Sequence, residues 1–271
     1  MEYQFKVGVS LRLGESPDAD GDLRALMKSG MEHVEIVYAP YCDDPAWAAS
    51  VREKLDGSLV NINSIHAPFG AQVDISRLDN GGQEFALREV GKAISMAQRL
   101  GAGIVVLHGS AEPIEEDERP KRIAQSRLSL DVLSRQAQAS GVRLALELLP
   151  RTCLGNTADE LQLLLADVPP EHAGFCLDTN HPADPRQLPG IVKQLAERII
   201  TLHVSDYDGI DEKHWMPFRG VVDWAAFANA LRDIGYSGAF IYETKPEADT
   251  MEERLKMIQS NFQRILTAAV V

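Results

Sequence analysis

The sequence predicts a single (β/α)₈ barrel, and three observations lead there. Eight short apolar runs alternate with amphipathic stretches along the whole chain; the runs have strand length and are rich in Val, Ile, Leu and Phe. No Pro/Gly/Ser-rich linker breaks the alternation, so residues 1–271 read as one domain of ordinary barrel length. Residues able to bind metal or move protons recur at the ends of the runs, where barrel enzymes place their reacting groups.

The first run, Phe5–Ser10, continues through Leu11-Arg12-Leu13-Gly14. That is not the glycine-rich phosphate turn expected after the first strand of a doubly wound open sheet, the rival fold for alternating β and α. His33–Val37, Val60–His66 and Ile104–His108 follow, then Leu144–Leu148, Gly174–Asp178, Ile199–Val204 and Ala239–Glu243. Helical spacing is clearest over 86–100, where Ala86, Val90, Ala93, Ile94, Ala97 and Leu100 share a stripe. Residues 123–139, 159–165, 187–195, 224–234 and 252–266 read as further helices. Gly30, Gly101, Gly141 and Gly235 stand where helices give way to strands, the position that needs a left-handed backbone. Continuously apolar strands between helices imply a parallel sheet covered by helices, and eight units close into a ring.

Bulk properties remove several function classes. Net charge is −13, with 40 acidic and 27 basic residues, and no Lys/Arg cluster with interleaved aromatics stands out. An acidic surface repels phosphate backbones, which argues against nucleic acid as a partner. The run Glu115-Glu116-Asp117-Glu118 suits a loop and the first turn of a helix, where negative charge favours the dipole. Cys42, Cys153 and Cys176 form no C-x-x-C pair and are expected as buried thiols. No apolar run is long enough for a membrane span, and Met1-Glu2-Tyr3-Gln4-Phe5-Lys6 lacks the character of a signal peptide; a soluble, cytoplasmic protein is expected, without a membrane partner. Oligomeric state is unreadable, and a homo-oligomer stays open.

The strand ends carry the chemistry. Strand 2 holds Glu35, strand 3 ends at His66 and strand 4 at His108. Strand 5 ends around Glu147, strand 6 at Asp178-Thr179-Asn180-His181, strand 7 around His203 and strand 8 at Glu243-Thr244-Lys245. Alternate strand residues share a face. Ala145 lies under Glu147, Cys176 under Asp178, Thr201 under His203 and Ile241 under Glu243, as expected for inward positions above a packed layer. Three carboxylates and an imidazole converging on one rim would be costly to bury without a cation. Glu147, Asp178, His203 and Glu243 are therefore the candidate ligands of one divalent ion; an oxygen-rich set with one imidazole suits Mn²⁺, Mg²⁺ or Co²⁺, with Zn²⁺ also compatible. Glu35 is left between a site role and an ion pair with Arg12 or a lysine.

At these residues the sequence resembles the xylose-isomerase-like superfamily of barrels, over nearly the whole chain. That group contains sugar and sugar-phosphate isomerases and epimerases and the endonuclease IV type of DNA-repair enzyme. In the ketose epimerase branch four residues at the ends of strands 5 to 8 bind one divalent metal, and the matching positions are Glu147, Asp178, His203 and Glu243. Asp178-Thr179-Asn180-His181 resembles that branch's D-T-x-H motif, whose His contacts substrate. His214 to Trp224 resembles its H…P-G-x-G-x-[IV]-D-W loop but has Phe218 where the pattern has Gly. In the endonuclease branch three zinc ions use more histidines. His66, His108, Glu147, Asp178, His181, His203 and Glu243 match such ligands, whereas the D-x-H pair after strand 7 is met only with Asp211 and His214 one residue too far apart or with Glu212 standing in for the Asp.

The resulting expectation is a metal-dependent isomerase or epimerase of a sugar, sugar phosphate or polyol, working by proton transfer through an enediolate that the metal stabilises. Glu147 and Glu243 would be the catalytic base and acid on the two faces of the substrate. His66, His108, His181 and His214 would bind substrate, with Arg219 or Lys245 on a distal oxygen or anionic group. A dehydratase or lyase on an inosose-type cyclic polyol would share the first proton abstraction, and zinc phosphodiester cleavage of abasic DNA is the other alternative. The loop Tyr207–Arg219 is long enough to be a lid, and Trp47, Phe69, Trp215 and Phe218 are candidates for specificity or simple packing.

Overall fold

The computed structural model of the chain describes residues 5–14 and 18–269. Eight parallel strands form a closed ring in sequence order: β1 (Lys6–Leu11), β2 (His33–Val37), β3 (Asn61–His66), β4 (Ile104–Leu107), β5 (Arg143–Glu147), β6 (Ala173–Asp178), β7 (Ile199–Val204) and β8 (Ala239–Tyr242). β8 pairs back onto β1, with Val7 beside Phe240 and Val9 beside Tyr242, so no sheet edge is left open. The helices are α1 (Ala19–Lys28), α2 (Pro45–Leu55), α3 (Asn80–Leu100), α4 (Arg119–Ala139), α5 (Ala158–Leu164), α6 (Leu188–Leu195), α7 (Trp224–Asp233) and α8 (Met251–Ala268).

Six of these helices lie where the sequence predicts helices, and α1 and α2 are not among them. Their apolar faces are thin: α1 buries Leu23 and Leu26, and α2 buries Ala48, Val51 and Leu55. End signals define them instead. Asp18 caps α1 by accepting from Gly21 N, and Asp44 caps α2 ahead of Pro45. Similarly, α3 begins six residues before its apolar stripe because Asp79 accepts from Gly82 N. The acidic run 115–118 lies in the loop and turn before α4 and ends at its N-cap, Glu118, so it does not enter the first helical turn expected for part of it.

The main core lies between the strands and the helices and contains Phe5, Phe175, Phe227, Phe240 and Phe262. A second, small cluster of Val106, Ala145 and Cys176 fills the inside of the ring. It is the packed layer expected beneath Glu147 and Asp178. The three cysteines are buried and form no disulfide. Among the described residues no helix is long and apolar enough to cross a membrane. Register brings the strand ends level: Glu147 stands beside Cys176 and Asp178 beside His203, while Glu243 N donates to Val204 O just past β8.

Candidate metal centre

Glu147, Asp178, His203 and Glu243 each bring one donor atom to within 4.8 Å of the others. The first three are fully or almost fully buried; Glu243 faces solvent with about a third of its side chain. His203 Nδ1 is 3.1 Å from Glu147 Oε1, 3.3 Å from Glu243 Oε2 and 3.8 Å from Asp178 Oδ2.

His203 presents Nδ1 because its other nitrogen is taken. Glu35, in β2 and fully buried, lies 3.0 Å from Nε2. Its carboxylate also accepts from Ser10 Oγ at 2.9 Å and Ser64 Oγ at 2.8 Å. Nε2–H therefore donates to Glu35, and Nδ1–H faces the carboxylates, where exchange of that proton for a cation would give the usual arrangement behind a metal-bound histidine. Burial would raise the Glu35 carboxyl, but His203 outweighs it and holds the group at about 2. The partner of Glu35 is thus His203, 168 residues along the chain, where the sequence had suggested Arg12 or a lysine.

Three more imidazoles are oriented by the main chain. His66 Nδ1 lies 2.8 Å from Ala67 O, His181 Nδ1 2.7 Å from Leu148 O and His214 Nδ1 3.0 Å from Glu243 O. A carbonyl oxygen only accepts, so Nδ1 carries hydrogen in each ring and Nε2 points inward. His66 Nε2 and His108 Nε2 approach Glu147 Oε2 at 3.2 and 3.1 Å. These three residues make a second donor group. Glu147 therefore offers one oxygen to each group. The Nε2 atoms of His181 and His214 lie 3.8 and 3.9 Å from Glu212 Oε2. Glu212 enters from the loop after β7 and was recognisable in the sequence only through its two-residue spacing to His214.

The donor set fits a divalent cation. Asp178 Oδ1 accepts from Asn180 N at 2.6 Å, whereas Oδ2 is buried without a hydrogen-bond partner. Burial pushes this carboxyl up to about 7, with His181 opposing and Glu147 and Glu243 reinforcing. Burial disfavours charge on His181 and His66, yet Asp178 with Glu212 lifts the former to about 10, and Glu147 the latter to about 8. A buried carboxylate oxygen without a donor is costly, and a cation among three carboxylates and one imidazole removes that cost.

A cavity of about 800 Å³ opens onto this centre. Glu243, His66, Phe69, His214 and Lys245 all line it. Phe69 stacks on His108 at 4.9 Å between centroids. Trp47 instead packs on Tyr41. Arg219 is not brought to the cavity. It is exposed beside a separate outer depression with Phe218 and Arg264, and Glu247 is 3.9 Å away.

The loop after β7 is held at both ends. Asp206 accepts from Tyr207 N, Val222 N and Trp224 Nε1, and its backbone pairs with Trp215 in both directions. Arg151 clamps the middle, binding Asp211 at 2.8 Å and Glu212 at 2.6 Å as well as Glu112. Phe218, the departure from the glycine pattern, has φ +70°, so the backbone keeps the glycine-like path. Its ring lies 3.9 Å from the Arg264 guanidinium.

The pattern of the family described as "Xylose isomerase-like TIM barrel" matches residues 23–261. Among curated proteins, the chain is 24% identical over 196 residues to the uncharacterized protein MJ1311 of Methanocaldococcus jannaschii, covering 70% of this chain and 67% of that one. It is 27% identical over 147 residues to the D-psicose 3-epimerase of Enterocloster bolteae, which is 53% of this chain but only 47% of that enzyme. Among solved structures, a D-tagatose 3-epimerase-like protein superposes with TM-score 0.84 over 98% of this chain and 100% of that one; at 23% identity this shows the fold. The chain belongs to the xylose isomerase-like TIM-barrel family.

Proposed function

We propose that the protein is a divalent-metal-dependent sugar epimerase or isomerase. The observation that carries this is the convergence of Glu147, Asp178, His203 and Glu243, with Glu147 and Asp178 buried and Glu243 partly exposed where it lines an open cavity. The similarity to a D-psicose 3-epimerase and to an inosose isomerase of Bacillus subtilis supports an isomerase-type reaction.

The four residues would hold the ion, which when bound supplies Lewis-acid polarisation of a substrate carbonyl. Glu147, as carboxylate, takes a proton from the adjoining carbon, and the C–H electron pair moves toward the carbonyl. Glu243, on the other side of the centre, returns a proton to the opposite face, which inverts that carbon in an epimerase. The strong depression of Glu147, which His203 and His108 impose against burial, keeps it ionised for the first step. Nε2 of His181 and His214 and the Glu212 carboxylate hold substrate hydroxyls, and Phe69 covers one wall. The test is solvent deuterium incorporation into a panel of ketoses, aldoses and inososes with Mn²⁺, Mg²⁺ or Co²⁺ present. Wild type should incorporate label and Glu147→Gln should not; full incorporation by the variant removes Glu147 as base.

A second reading, zinc-dependent cleavage of abasic DNA, is favoured by one feature. His66, His108 and the second oxygen of Glu147 form a further donor group, and His181, Glu212 and His214 approach one another beside it. The epimerase reading needs one ion per chain. Three zinc ions per chain together with nicking of an abasic duplex would establish the nuclease instead.

A further inference from the structure

The cavity that Glu243 lines also carries a group of cations. Arg12 at the end of β1, Lys245 after β8 and Arg254 in α8 all line it, so three separate elements bring cations to one volume that also contains Glu243, His66 and His214. In a chain of net charge −13 this is a local reversal of sign. The acidic groups on the same wall are Asp22 and Glu243. Asp22 acts on Arg254, and Glu243 belongs to the donor set. Lys245 has no ion pair among the described residues. Arg254 is fixed by donation from Nη2 to Thr244 O at 2.9 Å, while its buried Nε has no hydrogen-bond partner.

Electrostatics make such a patch consequential. Three carboxylates around one divalent ion leave the floor with a net negative charge, so an anionic ligand would be repelled unless cations met its charged end. A neutral sugar gains little from three cations.

We propose that the substrate is an anionic sugar derivative, a terminal phosphate ester or a sugar acid, whose charged end is held by Arg12, Lys245 and Arg254 while the reacting carbon lies at the carboxylate floor. This rests on the sugar epimerase reading and narrows it to a substrate class. Arg and Lys recognise such groups through charge-assisted hydrogen bonds, and loss of one commonly costs about tenfold in affinity or more.

The experiment uses the Mn²⁺-loaded protein, Lys245→Met and Arg12→Met. Dissociation constants are measured calorimetrically for inorganic phosphate, free ketopentoses and ketohexoses, their terminal phosphate esters, the matching sugar acids and an abasic duplex. Esters or acids should bind wild type about tenfold more tightly than free sugars, phosphate should compete, and each substitution should cut that preference about tenfold. Which of the two anions wins identifies the group. No preference in wild type, or a preference that survives both substitutions, overturns the subsite; if free sugars still exchange deuterium, the epimerase reading stands without it. Lys245-dependent binding of esters without any exchange keeps the subsite and removes the epimerase reading. Stronger binding of the abasic duplex than of any sugar ester overturns the assignment to a small sugar.

Discussion

Replacing Glu35 tests the orienting role its geometry assigns to it. Leucine removes the acceptor used by His203 Nε2, Ser10 Oγ and Ser64 Oγ at a fully buried position. Breaking a buried charge pair from one side costs about 3–5 kcal/mol, a large share of the roughly 5–15 kcal/mol that holds a protein folded. Glutamine is the gentler probe: it keeps the shape, but one of the two oxygens facing Nε2–H becomes an NH₂ donor, so the hold on His203 weakens. Metal-ligand orientation should then degrade by the amount typical of an outer hydrogen-bond partner, about 10–100-fold in metal affinity, or roughly 1.4–2.7 kcal/mol. The assay is calorimetric titration of metal-free Glu35→Gln with Mn²⁺, alongside melting curves with and without the ion. Wild-type affinity in this variant, with an undiminished stabilisation by Mn²⁺, would refute the claim that Glu35 sets the donor nitrogen of His203.

Three further outcomes are expected. Asp178 is raised from 3.8 to about 7 and His181 from 6.5 to about 10; the first costs stability increasingly as pH rises from about 4 to 7, and the second contributes stability that is lost as pH rises from 6.5 to 10. The melting temperature of metal-free protein should therefore fall between pH 5 and 9, and a saturating divalent cation should flatten that fall; a rising profile contradicts the directions. Arg151→Ala frees Asp211 and Glu212 from their clamp, so KM for a turned-over substrate should rise several-fold and proteolysis at 207–213 should quicken, with little change in melting temperature because the pairs are largely exposed. Phe218→Gly relieves about 1–2 kcal/mol of left-handed backbone cost but forfeits the Arg264 contact, so the net change by denaturant titration should stay within about 1 kcal/mol.

What the sequence reveals and what it conceals divide along physical lines. The strands were legible because a barrel strand is buried on both faces and reads as an unbroken apolar run, and Glu147, Asp178, His203 and Glu243 were legible because they break those runs at their ends. α1 and α2 were not read as helices, although Asp18 and Asp44 cap them. Glu35 was visible as a polar residue in an apolar strand, but its partner depends on ring closure, which places β2 and β7 across the barrel from each other. Arg219 was read as a substrate contact by its position in a family-like loop, a stretch too irregular to give a period from which side-chain direction can be read, and it lines the depression beside Phe218. Phe218 illustrates the converse: the residue type departed from pattern while the backbone did not.

The rings of His66, His181 and His214 lean on carbonyls of Ala67, Leu148 and Glu243, so their pose is inherited from the course of the polypeptide and needs no neighbouring side chain. Substitutions around the mouth can therefore accumulate without rotating these nitrogens away. A lineage built on this arrangement is free to exchange one ligand for another by redecorating the rim, and divergence in selectivity should run well ahead of divergence at the floor.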